Sequence, residues 1–117
     1  VAEALAVPVR DVLVVLDDFC LPPGRLRLRR AGGDGGHNGM DSIIRAFKTD
    51  RVARLRIGIG QPYPGSATNH VLSRFRPEER QVIEEAVRTA ADAVEVWAVE
   101  GPEEAMNRFN RNTPDEA

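Results

Sequence analysis

ARLRIGI, residues 53–59, decides the architecture. Arg54 and Arg56 fall on one side, Leu55, Ile57 and Ile59 on the other, the two-residue period of a strand with one apolar face. RLRLR at 25–29 repeats the pattern, setting Leu26 and Leu28 against Arg25, Arg27 and Arg29. Further upstream, DVLVVL at 11–16 is a continuous apolar, β-branched run closed by Asp17 and Asp18, as expected of a strand buried on both faces in a parallel sheet. Helical periods lie between and after the strands. Residues 39–48 carry Met40, Ile43, Ile44 and Phe47 at helical spacing, with Asn38 at the N-cap position. Residues 77–99 place Val82, Ile83, Ala86, Val87, Ala90, Val94 and Trp97 on a long amphipathic helix, opened by Pro77 and stopped by Gly101. Pro102 to Arg108 reads as a short final helix, and 110–117 as a frayed tail.

Strands interleaved with helices predict an α/β fold: one domain over 1–117, a three-layer α/β/α sandwich around a twisted mixed sheet. Three strands are few for such a sheet, and the chain opens on Val1 in a helix-like stretch. The expectation is therefore of a domain incomplete at its N-terminal side.

The longest apolar run, Val12 to Leu16, is too short to span a bilayer. With one cysteine, Cys20, and no visible signal peptide, a cytoplasmic setting away from membranes is expected. The net charge of -2 conceals a segregation. Between Arg25 and Arg56 nine basic residues face three acids, whereas between Glu78 and Glu104 nine acids face two arginines. A basic middle and an acidic end point to an anionic partner met by one face.

GGDGGHNGM, residues 32–40, joins the first arginine-faced strand to the first helix. No Lys-Ser/Thr follows the glycines and the GxGxxG spacing is missing, so neither a P-loop nor a dinucleotide fingerprint is present. His37 and Asn38 stand where the glycine loop meets a helix N-terminus, a place that binds polar or anionic ligands through free N–H groups. On the residues alone two readings stay open. Asn38 is a cap with Asp41 three residues on, and His37 a structural hydrogen-bonder; or both are aimed at a ligand that the glycines let approach. Asp17 likewise ends a strand where open α/β sheets place ligand groups, or starts a turn. His37, His70 and Cys20 lack metal-ligand spacing, so no metal is expected, and nothing calls for a cofactor. The Pro/Gly segment 61–67 reads as a cover over a site.

LDDFCLPPG (16–24), GGDGGHNGM (32–40) and RLRIGIG (54–60), in this order and spacing, resemble three consecutive motifs of the bacterial-type peptidyl-tRNA hydrolase family, and the likeness runs to about Phe109. The resemblance implies hydrolysis of the ester between a peptide and the tRNA 3′ ribose, with the tRNA acceptor stem and 3′ end as partner and a monomeric enzyme. By the same resemblance Asp17 orients a catalytic histidine, Asn38 holds the substrate or the attacking water, and Gly36 and His37 lie along the substrate. Arg29 and Arg56 match basic positions that clamp the tRNA 5′-phosphate end, with Arg27 and Arg54 beside them. The family's base belongs to a His-Asn motif in its N-terminal half, accompanied by a glycine/asparagine strand end and a Met-Asn motif. These three are missing here, which implies the C-terminal two-thirds or so of such an enzyme. Asp34 among the glycines, Asp41 in place of Lys or Arg, and Asn69-His70 depart from the family pattern. Two rival readings are a non-hydrolytic RNA- or tRNA-binding module of the same fold, and a scaffold whose arginines are merely solvated.

Overall fold

The computed structural model describes residues 7–60 and 77–110. A 3-10 turn, Val9–Asp11, leads into strand β1 (Leu13–Asp18). Strand β2 (Leu26–Arg29), helix α1 (Asn38–Phe47) and strand β3 (Ala53–Gly58) follow, then helices α2 (Pro77–Glu100) and α3 (Pro102–Phe109). The sheet order is β1-β3-β2, so ARLRIGI is the central strand. β1 runs parallel to it with Leu16 opposite Arg56 and Asp18 opposite Gly58. β2 runs antiparallel with Leu28 opposite Leu55, Arg27 opposite Arg56 and Arg29 opposite Arg54.

Alternation along β2 and β3 divides the core into two layers. On one face Leu26, Leu28 and Leu55 pack against Ala86, Ala90 and Ala93 of α2 and Ala105 of α3. The small alanines let the helix backbone approach the sheet closely, and complete burial of a leucine such as Leu55 contributes about 1.5–3 kcal/mol. On the other face Met40, Ile43, Ile44 and Phe47 of α1 cover Val14, Leu16 and Val52. The mixed, three-layer α/β arrangement expected from the sequence is the one observed.

Three local expectations are corrected. The DVLVVL run is not buried on both faces. Among the described residues β1 has β3 as its one strand neighbour, and Val15 is 48% exposed. The N-cap of α1 is His37, not Asn38: His37 has extended backbone angles and its ring accepts the Met40 N–H, while Asn38 is the first helical residue. Asn110 is not frayed. Its Oδ1 accepts the Leu28 N–H at 2.8 Å and its Nδ2 donates to the Leu28 carbonyl at 2.9 Å, so one amide side chain takes the place of a neighbouring strand at the outer edge of β2. The 61–67 segment and the rest of the tail lie outside the described residues.

Because Leu28 is almost wholly buried, Asn110→Ala strips its N–H of the partner and leaves its carbonyl only the 3.2 Å bond from Arg29 Nη1. The expected loss is about 1–3 kcal/mol of unfolding free energy, measured by urea denaturation at unchanged m. An unshifted midpoint would show that solvent replaces the amide at no cost.

Candidate active site and cationic cleft

The site begins with two arginines that the sequence places on an open strand face and the structure covers. Arg54 is 1% exposed. Its Nε donates to the Val52 carbonyl at 2.8 Å, Nη1 to Gly33 at 2.6 Å and Nη2 to Asp50 at 3.0 Å. Burial, reinforced by the neighbouring Arg56 charge and opposed by Asp50, holds its guanidinium below the ordinary arginine value. This burial turns the donors of Arg54, expected beside the phosphate-clamping positions, to the backbone of the loops beside β3. Arg56, 8% exposed, pairs through Nη1 with Asp18 Oδ2 and donates through Nη2 to the Asp34 carbonyl, both at 3.4 Å. A central strand has no free face once a loop folds over it, so its cationic side chains must find carbonyls or carboxylates.

The glycines follow from this contact. Gly35 has φ +61° and lies against Arg56; a Cβ there would stand 2.8 Å from Nη2. Asp34 supplies the turn, its Oδ1 accepting the Gly36 N–H at 2.8 Å and its carbonyl the His37 N–H at 3.0 Å. The aspartate that interrupts the glycines thus shapes the loop, while Asp41 pairs with Arg45 one helical turn on, at 3.0 Å.

The loop delivers His37 to Asp17 at the C-terminal end of β1. His37 Nδ1 accepts the Met40 N–H at 3.1 Å. Because a backbone N–H can only donate, Nδ1 is the bare nitrogen and Nε2 carries the proton, which it gives to Asp17 Oδ1 at 3.1 Å. Both ring nitrogens are thereby committed. Asp17 Oδ2 has no partner among the described residues, and the adjacent Asn38 side chain is exposed at the first turn of α1.

Alongside lies a cleft of about 360 Å³ whose wall includes Asp18, Arg27, Arg29, Gly33, Gly35 and Arg56. The antiparallel register sets Arg27 opposite Arg56 and Arg29 opposite Arg54, so four guanidinium groups share one sheet face. Like charges directly opposite one another repel, which makes the face a receptor for anions. Among the described residues no group of three or more His, Cys, Asp or Glu is placed to hold a metal ion. Likewise no described helix is long and apolar enough to cross a membrane.

Of the residues the sequence singles out, the structure joins His37 to Asp17 and sets Arg27 and Arg29 opposite Arg56 and Arg54, while the Asn38 side chain is exposed. Sequence reasoning missed the Asp18–Arg56 pair, whose signal was available in the polar end of β1 beside an arginine-bearing strand. It also missed Asn110, which no local pattern marks.

A family model described as peptidyl-tRNA hydrolase matches residues 1–117. The chain belongs to this family. It is 50% identical over 104 residues to the peptidyl-tRNA hydrolase of Caldanaerobacter subterraneus subsp. tengcongensis, covering 89% of this chain and 56% of that protein. To the peptidyl-tRNA hydrolase of Chloroflexus aggregans it is 53% identical over 105 residues, covering 88% and 55% respectively. Among solved structures, peptidyl-tRNA hydrolase from Acinetobacter baumannii superposes with a TM-score of 0.81 at 30% identity, covering 94% of this chain and 56% of that one. The chain thus spans little more than half the length of the curated relatives it matches.

Gly35 and Gly36 provide a paired test of the loop. Both have positive φ, but only Gly35 has a neighbour in the path of a Cβ. Gly36→Ala should cost about 1–2 kcal/mol from the left-handed backbone alone. Gly35→Ala should cost more, because Arg56 must also move. Equal losses in thermal or chemical unfolding would show that the Arg56 contact does not shape the loop.

Proposed function

We infer that the protein acts in hydrolysis of the ester linking a peptide's C-terminal carboxyl to the 3′ ribose of tRNA, releasing peptide and free tRNA. The observation that carries this reading is the meeting of Asp17, His37 and exposed Asn38 at one sheet end, beside a cleft walled by arginines, in a chain of this family.

The division of labour follows from hydrogen-bond capacity. His37 holds Asp17 through Oδ1 and caps α1 through Nδ1, so as placed it has no lone pair to take a proton from water. Asp17 Oδ2 is left to orient the general base, a histidine that the family resemblance puts in a His-Asn motif outside this sequence. Asn38 offers an amide at the helix start to the substrate carbonyl or the attacking water. Arg27, Arg29 and the accessible part of Arg56 hold phosphate at the tRNA 5′ end, while Arg54 fixes the loop that frames the cleft. Such contacts position RNA without reading sequence, so many tRNAs should be accepted. A cytoplasmic monomer that needs no cofactor completes the reading.

The purified 117-residue chain alone should not turn over peptidyl-tRNA; hydrolysis that disappears in His37→Ala would instead make His37 the base. In the polypeptide that includes the base, Asp17→Asn and Asn38→Ala should each remove about 2–4 kcal/mol of transition-state stabilisation, read from kcat/KM. Unchanged kcat/KM with lowered thermal stability in both variants would reduce the two residues to structural roles. Arg29→Ala should raise KM for full-length peptidyl-tRNA more than for a 3′-terminal mimic lacking the 5′ phosphate. An equal effect on the two substrates would place the phosphate elsewhere.

A further inference from the structure

A second cleft, of about 650 Å³, opens at the end of the sheet where β1 and β3 begin and β2 ends. It lies about one strand length, roughly 15–20 Å, from Asp17. Arg10, Arg30 and Arg51 stand around it, and Val9, Trp97 and Pro102 supply its apolar wall. Three separate segments converge here: Arg10 from the 3-10 turn, Arg30 from the end of β2 and Arg51 from the residues before β3. All three arginines are exposed. Arg30 meets Glu103 only at 3.8 Å, between side chains that are both mostly in solvent, and such pairs contribute little. Neither Arg10 nor Arg51 has an ion-pair partner among the described residues, in contrast to the bonded guanidinium groups of Arg54 and Arg56. Ala31 borders both clefts, so the two are neighbours along the chain from Arg29 to Arg30.

We propose that this second cleft is a further phosphate-binding site for the tRNA, in which Arg10, Arg30 and Arg51 hold a backbone phosphate beyond the one bound at the Arg27–Arg29 cleft. The proposal rests on the functional reading above and extends it to the distance a tRNA backbone covers. A guanidinium fork is matched to phosphate oxygens, and three of them on separate segments surround a phosphate from several sides. The wall of Val9, Pro102 and the Trp97 ring suits a ribose packed behind that phosphate.

Trp97 is the chain's single tryptophan, so its fluorescence reports on this cleft. The purified protein is titrated with a 5′-phosphorylated acceptor-stem RNA hairpin across a range of salt concentrations, in parallel with inorganic phosphate alone. Wild type should show a saturable change in Trp97 emission with the hairpin. The double variant Arg10→Ala/Arg51→Ala should make the slope of log K against log salt shallower by roughly one phosphate contact. Arg10→Lys/Arg51→Lys should restore most of that slope. If the alanine double variant keeps the wild-type slope while Arg29→Ala flattens it, the second site is refuted and the functional reading stands. No hairpin binding by wild type at low salt refutes both. A saturable Trp97 response to inorganic phosphate that the hairpin does not displace makes the cleft a small-anion site and also overturns the proposal.

Discussion

The buried guanidinium of Arg54 is the constraint from which the arrangement of the site follows. A cation on the central strand, almost wholly removed from water, is tolerated only if its donors are satisfied, and here the acceptors are the carbonyls of Gly33, Asp50 and Val52. Two of these belong to the turn entering β3, but Gly33 belongs to the loop leaving β2. Satisfying Arg54 therefore draws the glycine loop down over the sheet. The loop then lies against Arg56 at Gly35, turns through Asp34, and reaches the start of α1 with His37 next to Asp17. Each step needs the one before it.

His37 shows how one side chain serves structure and site together. Its Nδ1 satisfies a main-chain donor at the helix start, which selects the tautomer with the proton on Nε2, and that proton holds a carboxylate at the end of β1. A residue that resembles a catalytic base by type is thus a linker between α1 and Asp17. The opposite holds for Asn38. It looks like a cap by type, yet it is displaced one position into the helix, and its amide is exposed.

The cationic face combines two different kinds of arginine. Arg54 and Arg56 are covered, and their charge is balanced by carbonyls and by Asp18; they give the face its potential and hold the loop. Arg10, Arg30 and Arg51 stand in solvent around the second cleft, where a phosphate can reach them. Helices α2 and α3, which carry half of the chain's acidic residues, pack on the sheet face opposite Arg27, Arg29, Arg54 and Arg56, and among the described residues only Glu103 reaches an arginine of the second cleft, Arg30. The net charge of the whole chain, slightly negative, says nothing of this separation.

The sequence by itself determined the elements, because their signals are local. Alternation in RLRLR and ARLRIGI, helical spacing in 39–48 and 77–99, and the stops at Gly101 and Pro102 depend on periods of two or 3.6 residues within one segment. It also marked Asp17, His37, Asn38 and the arginines as chemistry in search of a partner. What only the tertiary structure decided was which faces are covered and which groups meet. β1 reads as buried on both faces but has a single strand neighbour among the described residues, since burial depends on what packs beside it. Arg54 and Arg56 read as a cationic strand face met by an anionic partner but lie under the glycine loop. Asn110 reads as tail but binds the edge of β2 across 82 residues of sequence. Periodicity says that a strand has two faces, but long-range packing and the need to satisfy buried donors decide what each face meets.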